Sequence, residues 1–298
     1  MIGVIGDVML DFYIFGKSTR MSPECVTAQV VNPETVNYYL GGAGNTALNI
    51  KNLDADVKLY CALHKKSKMP KLMCQEKLKA KATINSNKDV VKKRIYSNGK
   101  YLARLDYDYE VIHDEQYLIN ELFSEPPSLI VLSDYNKGTI NCPEALITRA
   151  QTHNIPVLVD PKKKLDRYSG AYILKPNAKE FIEWVGVENV ILENEFVNSL
   201  SNKYLQNSVE KLNVHNLIIT LGKLGSILVS RTGGVKKFKA FSVPNTVDVT
   251  GAGDSFMAGL AVSLQEQYSI ADSIQFANKV AGIAVTKKGT TYVERKEI

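Results

Sequence analysis

Four short apolar runs between residues 129 and 219 each stop at polar residues. Leu129–Leu132 ends at Ser133-Asp134, Val157–Val159 at Asp160, Tyr172–Leu174 at Pro176-Asn177, and Leu217–Ile219 at Thr220-Leu221-Gly222. Helical patterns separate the runs, an alternation that a parallel sheet with crossover helices produces. Open α/β sheets bind ligands at the carboxyl ends of their strands, where these polar side chains would gather. One such ending is commonplace; four in series predict a site.

The 298 residues, 45% hydrophobic, suffice for one large α/β domain spanning 1–298. Residues 12–40 and 90–106 depart from the alternation, with β-branched and aromatic segments and few helical signals. Ser97-Asn98-Gly99-Lys100 sits between two such segments as a hairpin turn, so these stretches predict a small β-sheet beside the main domain.

No apolar run approaches a membrane span, and the apolar N-terminus, interrupted by Asp7, reads as a strand and not as a signal peptide. The four cysteines are scattered without a CxxC pair, which points to reduced thiols in a cytoplasm and away from zinc. Net charge is +6, with lysines clustered at 65–68, 77–81, 162–164 and 236–237. Such clusters form solvated faces, and no aromatic residues interleave with them as nucleic-acid binding would require. An anionic small substrate is the better use of the surplus charge.

The chemistry concentrates at Asp248-Val249-Thr250-Gly251-Ala252-Gly253-Asp254, where an apolar strand-like approach leads into a turn of small residues. Phe256, Met257, Leu260, Ala261 and Leu264 recur at helical spacing, so the Gly251-Ala252-Gly253 turn opens a helix. Unpaired amides there suit an anion or a developing phosphoryl charge. Asp254 beside them is costly unless it takes a proton from a hydroxyl that attacks phosphorus. The residues alone also fit a glycine turn whose Asp caps the helix. Gly16-Lys17-Ser18 imitates a Walker A tail, but Asp11 stands where the leading glycine must be. Gly42-x-Gly44-x-x-Ala47 matches a dinucleotide fingerprint without the acidic residue that would hold a ribose. Asp11 reads as the end of the first strand, and Asn177 with Glu180 as one face of a helix after Pro176, an Asn cap with a first-turn Glu.

The DVTGAGDSF stretch resembles the C-terminal signature of the ribokinase (PfkB-type) carbohydrate kinases, and Gly41-Gly42-Ala43-Gly44-Asn45, GDVMLD and Asn177-Ala178-Lys179-Glu180 fall in that family's order. GDVMLDFY, Arg20-Met21-Ser22-Pro23-Glu24, Lys92-Lys93-Arg94 leading to Arg104-Leu105-Asp106, and LSDYNKG are similar to the kinase part of heptose 7-phosphate kinase/ADP-heptose synthases. The likeness covers nearly the whole chain and is weak near residues 60–90.

The resemblance implies a ribokinase-like three-layer α/β/α fold with a mostly parallel central sheet and a small β-sheet lid, often shared between two subunits, hence a homodimer. It implies an ATP- and Mg²⁺-dependent kinase of a heptose 7-phosphate in lipopolysaccharide precursor biosynthesis. Asp254 would be the base and Gly251, Ala252 and Gly253 the anion turn. Asp11, Gly42 and Asn45 would contact the sugar, with Asp134 and Lys137 as further contacts. Arg20, Lys92, Arg94 and Arg104 would be candidates for its phosphate. Asn177, Thr220, Gly222, Gly225 and Asn278 would hold the nucleotide, with Glu180 in the water shell of Mg²⁺. Asp248, Thr250, Ala284, Lys287 and Gly289 fall where related kinases bind a monovalent cation such as K⁺, although Val293 replaces a family hydroxyl.

Two departures stand out. His64-Lys65-Lys66-Ser67-Lys68-Met69 replaces a Gly-Asp-Asp-x-x-Gly type segment, which leaves room for a kinase of another sugar or sugar phosphate. Nothing matches a nucleotidyltransferase His-x-x-His motif, so adenylyl transfer is expected from another protein. A catalytically weak nucleotide- or sugar-binding regulator is the alternative of a different class; Asp254, Asn177 and Glu180 argue against it.

Overall fold

A computed structural model describes residues 1–162 and 164–298; Lys163, within the 162–164 lysine cluster, lies outside the described residues. The chain opens with β1 (Ile2–Gly6), β2 (Val8–Ser22), β3 (Cys25–Gly42), α1 (Ala43–Asn52), β4 (Val57–His64), α2 (Met69–Gln75) and β5 (Ala80–Asn85). The hairpin of β6 (Val90–Ser97) and β7 (Lys100–Tyr107) follows, then α3 (Glu115–Ser124), β8 (Leu129–Ser133), α4 (Pro143–Thr152), β9 (Val157–Asp160) and β10 (Ile173–Leu174). Next come α5 (Ala178–Val185), α6 (Glu193–Ser199), α7 (Asn202–Leu212), β11 (Asn216–Thr220), β12 (Ser226–Ser230), β13 (Gly234–Phe238), α8 (Ala252–Gln265) and α9 (Ile270–Ala284).

The larger sheet runs β13-β12-β11-β10-β9-β8-β1-β4-β5, parallel from β11 to β5 and antiparallel at the β12 and β13 edge. Strand alternation sends successive side chains to opposite faces. Val4, Leu158 and Ile218 pack in one apolar cluster with α1, α8 and α9. Their neighbours Ile5, Val159 and Ile219 pack in the other with α3, α4, α5 and α7. The result is a three-layer α/β/α fold. Chain order reverses between β1 and β8, so a crevice opens where those strands end, the usual ligand position in such sheets.

The smaller sheet has the order β3-β2-β6-β7, with β2 and β6 parallel and the other pairs antiparallel. It takes in residues 8–42 and 90–107, slightly more than the segments expected from sequence. Two local expectations differ. Asp11 lies inside β2 and not at the end of the first strand, because β1 stops at Gly6 and the chain moves directly into the second sheet. The segment before Gly251 is irregular and not a strand; no partner strand lies beside residues 239–250 among the described residues.

Candidate active site

Helix α8 begins at the small-residue turn. Gly251 caps it in the left-handed region (φ 79°), and Ala252, Gly253 and Asp254 form its first turn. The first-turn amides of a helix lack intrahelical partners and carry its positive end. Asp254 is 4% exposed. Its Oδ2 accepts a 2.8 Å hydrogen bond from Asn45 Nδ2, and its Oδ1 accepts one of 2.7 Å from the Tyr135 hydroxyl. Burial, aided by the nearby Asp160 charge, pushes Asp254 up to about 6, against the two hydrogen bonds and the Lys175 charge.

Asn45 reaches Asp254 because α1 starts abruptly after Gly42. Gly42 has φ 61°, and a Cβ there would fall 2.4 Å from the Asp7 carbonyl oxygen, so the turn requires glycine. Asp7 itself is 2% exposed and gathers the loop after β8. Its carboxylate accepts amide hydrogen bonds from Tyr135, Lys137 and Thr139, each 2.9 Å. Asp134 is also spoken for, accepting from the Asn136 amide and the Tyr168 hydroxyl, and burial raises its pKa. The Lys137 ammonium pairs with Asp108 at 2.8 Å.

A cavity of about 450 Å³ adjoins Gly253 at these strand ends. Its walls include Tyr135, Asp160, Lys175, Asn177, Glu180, Thr220 and Gly222. Asn177 and Glu180 close a capping box on α5: the Asn177 side chain accepts from the Glu180 amide, and Glu180 Oε2 accepts from the Asn177 amide. Glu180 Oε1 meets Lys162 Nζ at 2.9 Å, and Lys175 Nζ meets Asp160 Oδ1 at 2.9 Å. The walls do not include Gly225 or Asn278. Gly225 turns β12 toward the end of β13, and Asn278 Nδ2 donates to Ser226 Oγ at 3.3 Å.

On the smaller sheet, Asp11 and Arg94 face each other at 2.7 Å, with side chains 6% and 9% exposed. The other Asp11 oxygen accepts from Thr290 Oγ1 at 2.8 Å, and the guanidinium lies 5.1 Å from the Tyr13 ring centre. Lys92 sits 5.5 Å from the Tyr135 ring centre, and burial pulls its pKa down. Arg104 pairs with Asp106 on its own strand, while Arg20 is exposed. Lys92 thus lies against a residue of the cavity wall, whereas Arg94 and Arg104 are paired with carboxylates of the smaller sheet. Asp248 links the two segments expected to hold a monovalent cation, accepting from the Thr250 and Gly289 amides. The Lys287 amide donates to the Ala284 carbonyl, but its ammonium turns to Tyr292 and Glu297.

A family profile described as pfkB family carbohydrate kinase matches residues 1–297. The chain belongs to that family. It is a sugar kinase, a phosphotransferase. The chain is 35% identical to the bifunctional protein HldE of Methylococcus capsulatus, across 99% of its own length and 62% of the relative's. It is 32% identical to that of Hydrogenovibrio crunogenus, across 99% and 61%. The kinase therefore spans about three fifths of the curated relatives it matches. Phosphofructokinase-2 of Escherichia coli, solved with potassium, shares the fold at TM-score 0.81 and 16% identity, covering 100% of this chain and 96% of its own. Arabidopsis thaliana ribokinase, complexed with ribose and ATP, does so at 0.72 and 18%, covering 99% and 96%.

Sequence patterns assign no role to Asp7, Tyr135 or Lys175, although each stands at a strand end, and mark Asp160 only as one of the polar strand endings. The run from Tyr172 to Leu174 leads directly into Lys175, and a lysine at the end of a buried strand is the signal that could have marked it.

Proposed function

We propose that the kinase transfers the γ-phosphoryl group of ATP to the anomeric hydroxyl of D-glycero-beta-D-manno-heptose 7-phosphate, giving the 1,7-bisphosphate and ADP. The observation that carries the reading is Asp254, a buried carboxylate held by Asn45 and Tyr135 in the first turn of α8, next to Gly253 on the cavity wall, and pushed up to about 6 by that burial. A general base works best when its pKa lies near the operating pH. Asp254 takes the acceptor's proton as the acceptor oxygen bonds to phosphorus. The bond from phosphorus to the bridging oxygen breaks, and its electron pair leaves on ADP. The amides of Gly251 and Gly253 face the charge that builds on the phosphoryl oxygens, while the Ala252 amide already donates to the Val249 carbonyl at 3.3 Å.

The walls suit a nucleotide brought in with magnesium. Among the described residues no three His, Cys, Asp or Glu side chains converge to hold a metal alone. Magnesium keeps several waters and takes phosphate oxygens, so carboxylates as sparse as Asp160 and Glu180 fit it. When bound, the ion would neutralise charge on the β- and γ-phosphate oxygens. In the same reading Asn177 lies near the nucleotide phosphates, Thr220 and Gly222 admit its base and ribose, and Asp248 anchors a monovalent-cation site with Thr250, Ala284, Lys287 and Gly289. The smaller sheet serves as lid and dimer surface, the protein works in the cytoplasm, and a nucleotidyltransferase acts on the product.

The heptose rests on the sequence stretches shared with heptose 7-phosphate kinases and on the HldE relatives. A kinase of another sugar or sugar phosphate is the second reading, favoured by the departure at His64–Met69, which leads here into the seven-residue helix α2. Phosphorus NMR of a mixture with ATP, Mg²⁺ and the heptose 7-phosphate tests the proposal. The 1,7-bisphosphate and ADP are expected; turnover of a different sugar alone would replace the acceptor and keep the mechanism.

A further inference from the structure

Among the described residues the cavity wall holds one buried cation, and this phosphoryl-transfer reading leaves it without a role. Lys175 follows β10 and is 3% exposed. Lysines are almost never this buried unless paired, and its ammonium pairs with Asp160 at the end of β9, Nζ to Oδ1 2.9 Å. Such a pair is weak evidence for stability, because well-packed apolar residues often serve a fold as well or better. Its position suggests why it is there. A Cβ on Gly253 would lie 3.8 Å from Lys175 Nζ and 3.9 Å from Asp160 Oδ2, so the ion pair lies directly beneath the first turn of α8. Lys175, Asp160 and Gly253 line the same cavity.

An ammonium beside the positive end of a helix is electrostatically unfavourable until an anion enters between them. Among the described residues Asp160 is its sole ion-pair partner, and it occupies one of the three donors a lysine carries. The charges of Asp160, Glu180 and Asp254 keep Lys175 protonated against its burial.

We propose that Lys175 is a catalytic residue, donating to the non-bridging oxygens of the phosphoryl group in transit, with Asp160 as its positioning residue. The inference rests on phosphoryl transfer from ATP and is independent of which sugar accepts. As the acceptor oxygen bonds to phosphorus and ADP departs with the electron pair, charge spreads over three equatorial oxygens. A compact ammonium fixed in advance meets that charge without reorganisation.

Two variants test it: Lys175→Met, and Lys175→Met combined with Asp160→Asn, which leaves no lone buried charge. Turnover is measured on an acceptor that the wild type phosphorylates. Calorimetry gives affinities for ADP and for adenosine 5′-(β,γ-imido)triphosphate. The double variant should melt near the wild type, with kcat lower by roughly 10²–10³ and acceptor KM within about twofold. The preference for the triphosphate analogue over ADP should shrink in both variants. A folded double variant with near-normal kcat and an intact preference for the analogue would reduce the pair to a structural one and overturn the proposal. Failure of the wider reading looks different: the wild type itself would then phosphorylate no sugar or sugar phosphate.

Discussion

The hydroxyl of Tyr135 donates to Asp254 at 2.7 Å, while the amide of the same tyrosine donates to Asp7 at 2.9 Å. One residue thus ties the end of β1 to the first turn of α8. Asp7 fixes the loop, the loop aims the phenol, and the phenol orients the carboxylate. Burial keeps the phenol protonated and therefore a donor. A hydrogen bond to a carboxylate favours its charged form, so Tyr135 opposes the burial that raises Asp254.

The pH profile should report this bond. A base is active when deprotonated, so kcat/KM should rise with pH through about 6 in the wild type. Tyr135→Phe removes a group that stabilises the carboxylate and should move that limb to higher pH. A limb that stays in place would show that Tyr135 does not tune Asp254.

Asp254→Asn should separate activity from stability. Turnover should fall by roughly 10²–10⁴ while ATP still binds. The folded-state pKa is raised from 3.8 to about 6, so ionised Asp254 destabilises the fold above that range. The shift corresponds to at most about 3 kcal/mol. The variant should therefore be the more stable protein at pH 8, and its advantage should vanish as pH falls below about 4. Denaturant unfolding at both pH values checks the sign.

Asp7→Ala should damage both properties at once. It leaves the amides of Tyr135, Lys137 and Thr139 without their acceptor in a buried place. Each unsatisfied group costs about 1–3 kcal/mol where water cannot replace the partner. A drop of several kcal/mol in unfolding free energy should accompany a fall in kcat. Normal kcat in the folded fraction would mean the loop holds Tyr135 without Asp7.

The parts legible in the sequence are those with local signatures. The Asn177–Glu180 box spans four residues, and the α8 turn is written as Gly251-Ala252-Gly253 before a helical apolar pattern. Strand ends were readable for the same reason, since a polar residue after an apolar run needs no distant partner to be noticed. The Asp11 contacts were not readable. Its partners Arg94 and Thr290 arrive from another strand of the smaller sheet and from the loop after α9. Lys175 and Asp160 likewise become neighbours only because β9 and β10 pair in parallel. A charged side chain read alone gives no hint of whether it will be neutralised in the fold or left for a ligand.

That distinction separates the arginines and lysines of the smaller sheet. Arg94 is buried against Asp11, so Arg94→Ala strands a carboxylate and should cost about 3–5 kcal/mol of stability. Arg94→Met with Asp11→Asn should recover much of that loss. Arg104 has a half-exposed side chain beside Asp106, and an exposed pair of this kind contributes at most about 1 kcal/mol. Lys92 lies against the Tyr135 ring and has no carboxylate within ion-pair distance among the described residues. If the acceptor is a sugar phosphate, Lys92→Met and Arg104→Ala should each raise its KM and leave the KM for ATP nearly unchanged. Loss of a charged hydrogen bond would be worth about 1.5–3 kcal/mol, roughly 10- to 150-fold. Melting temperatures within a degree or so of the wild type would separate this binding effect from the structural one at Arg94. Unchanged acceptor KM in both variants would leave these cations as solvent-facing charge and favour an unphosphorylated sugar.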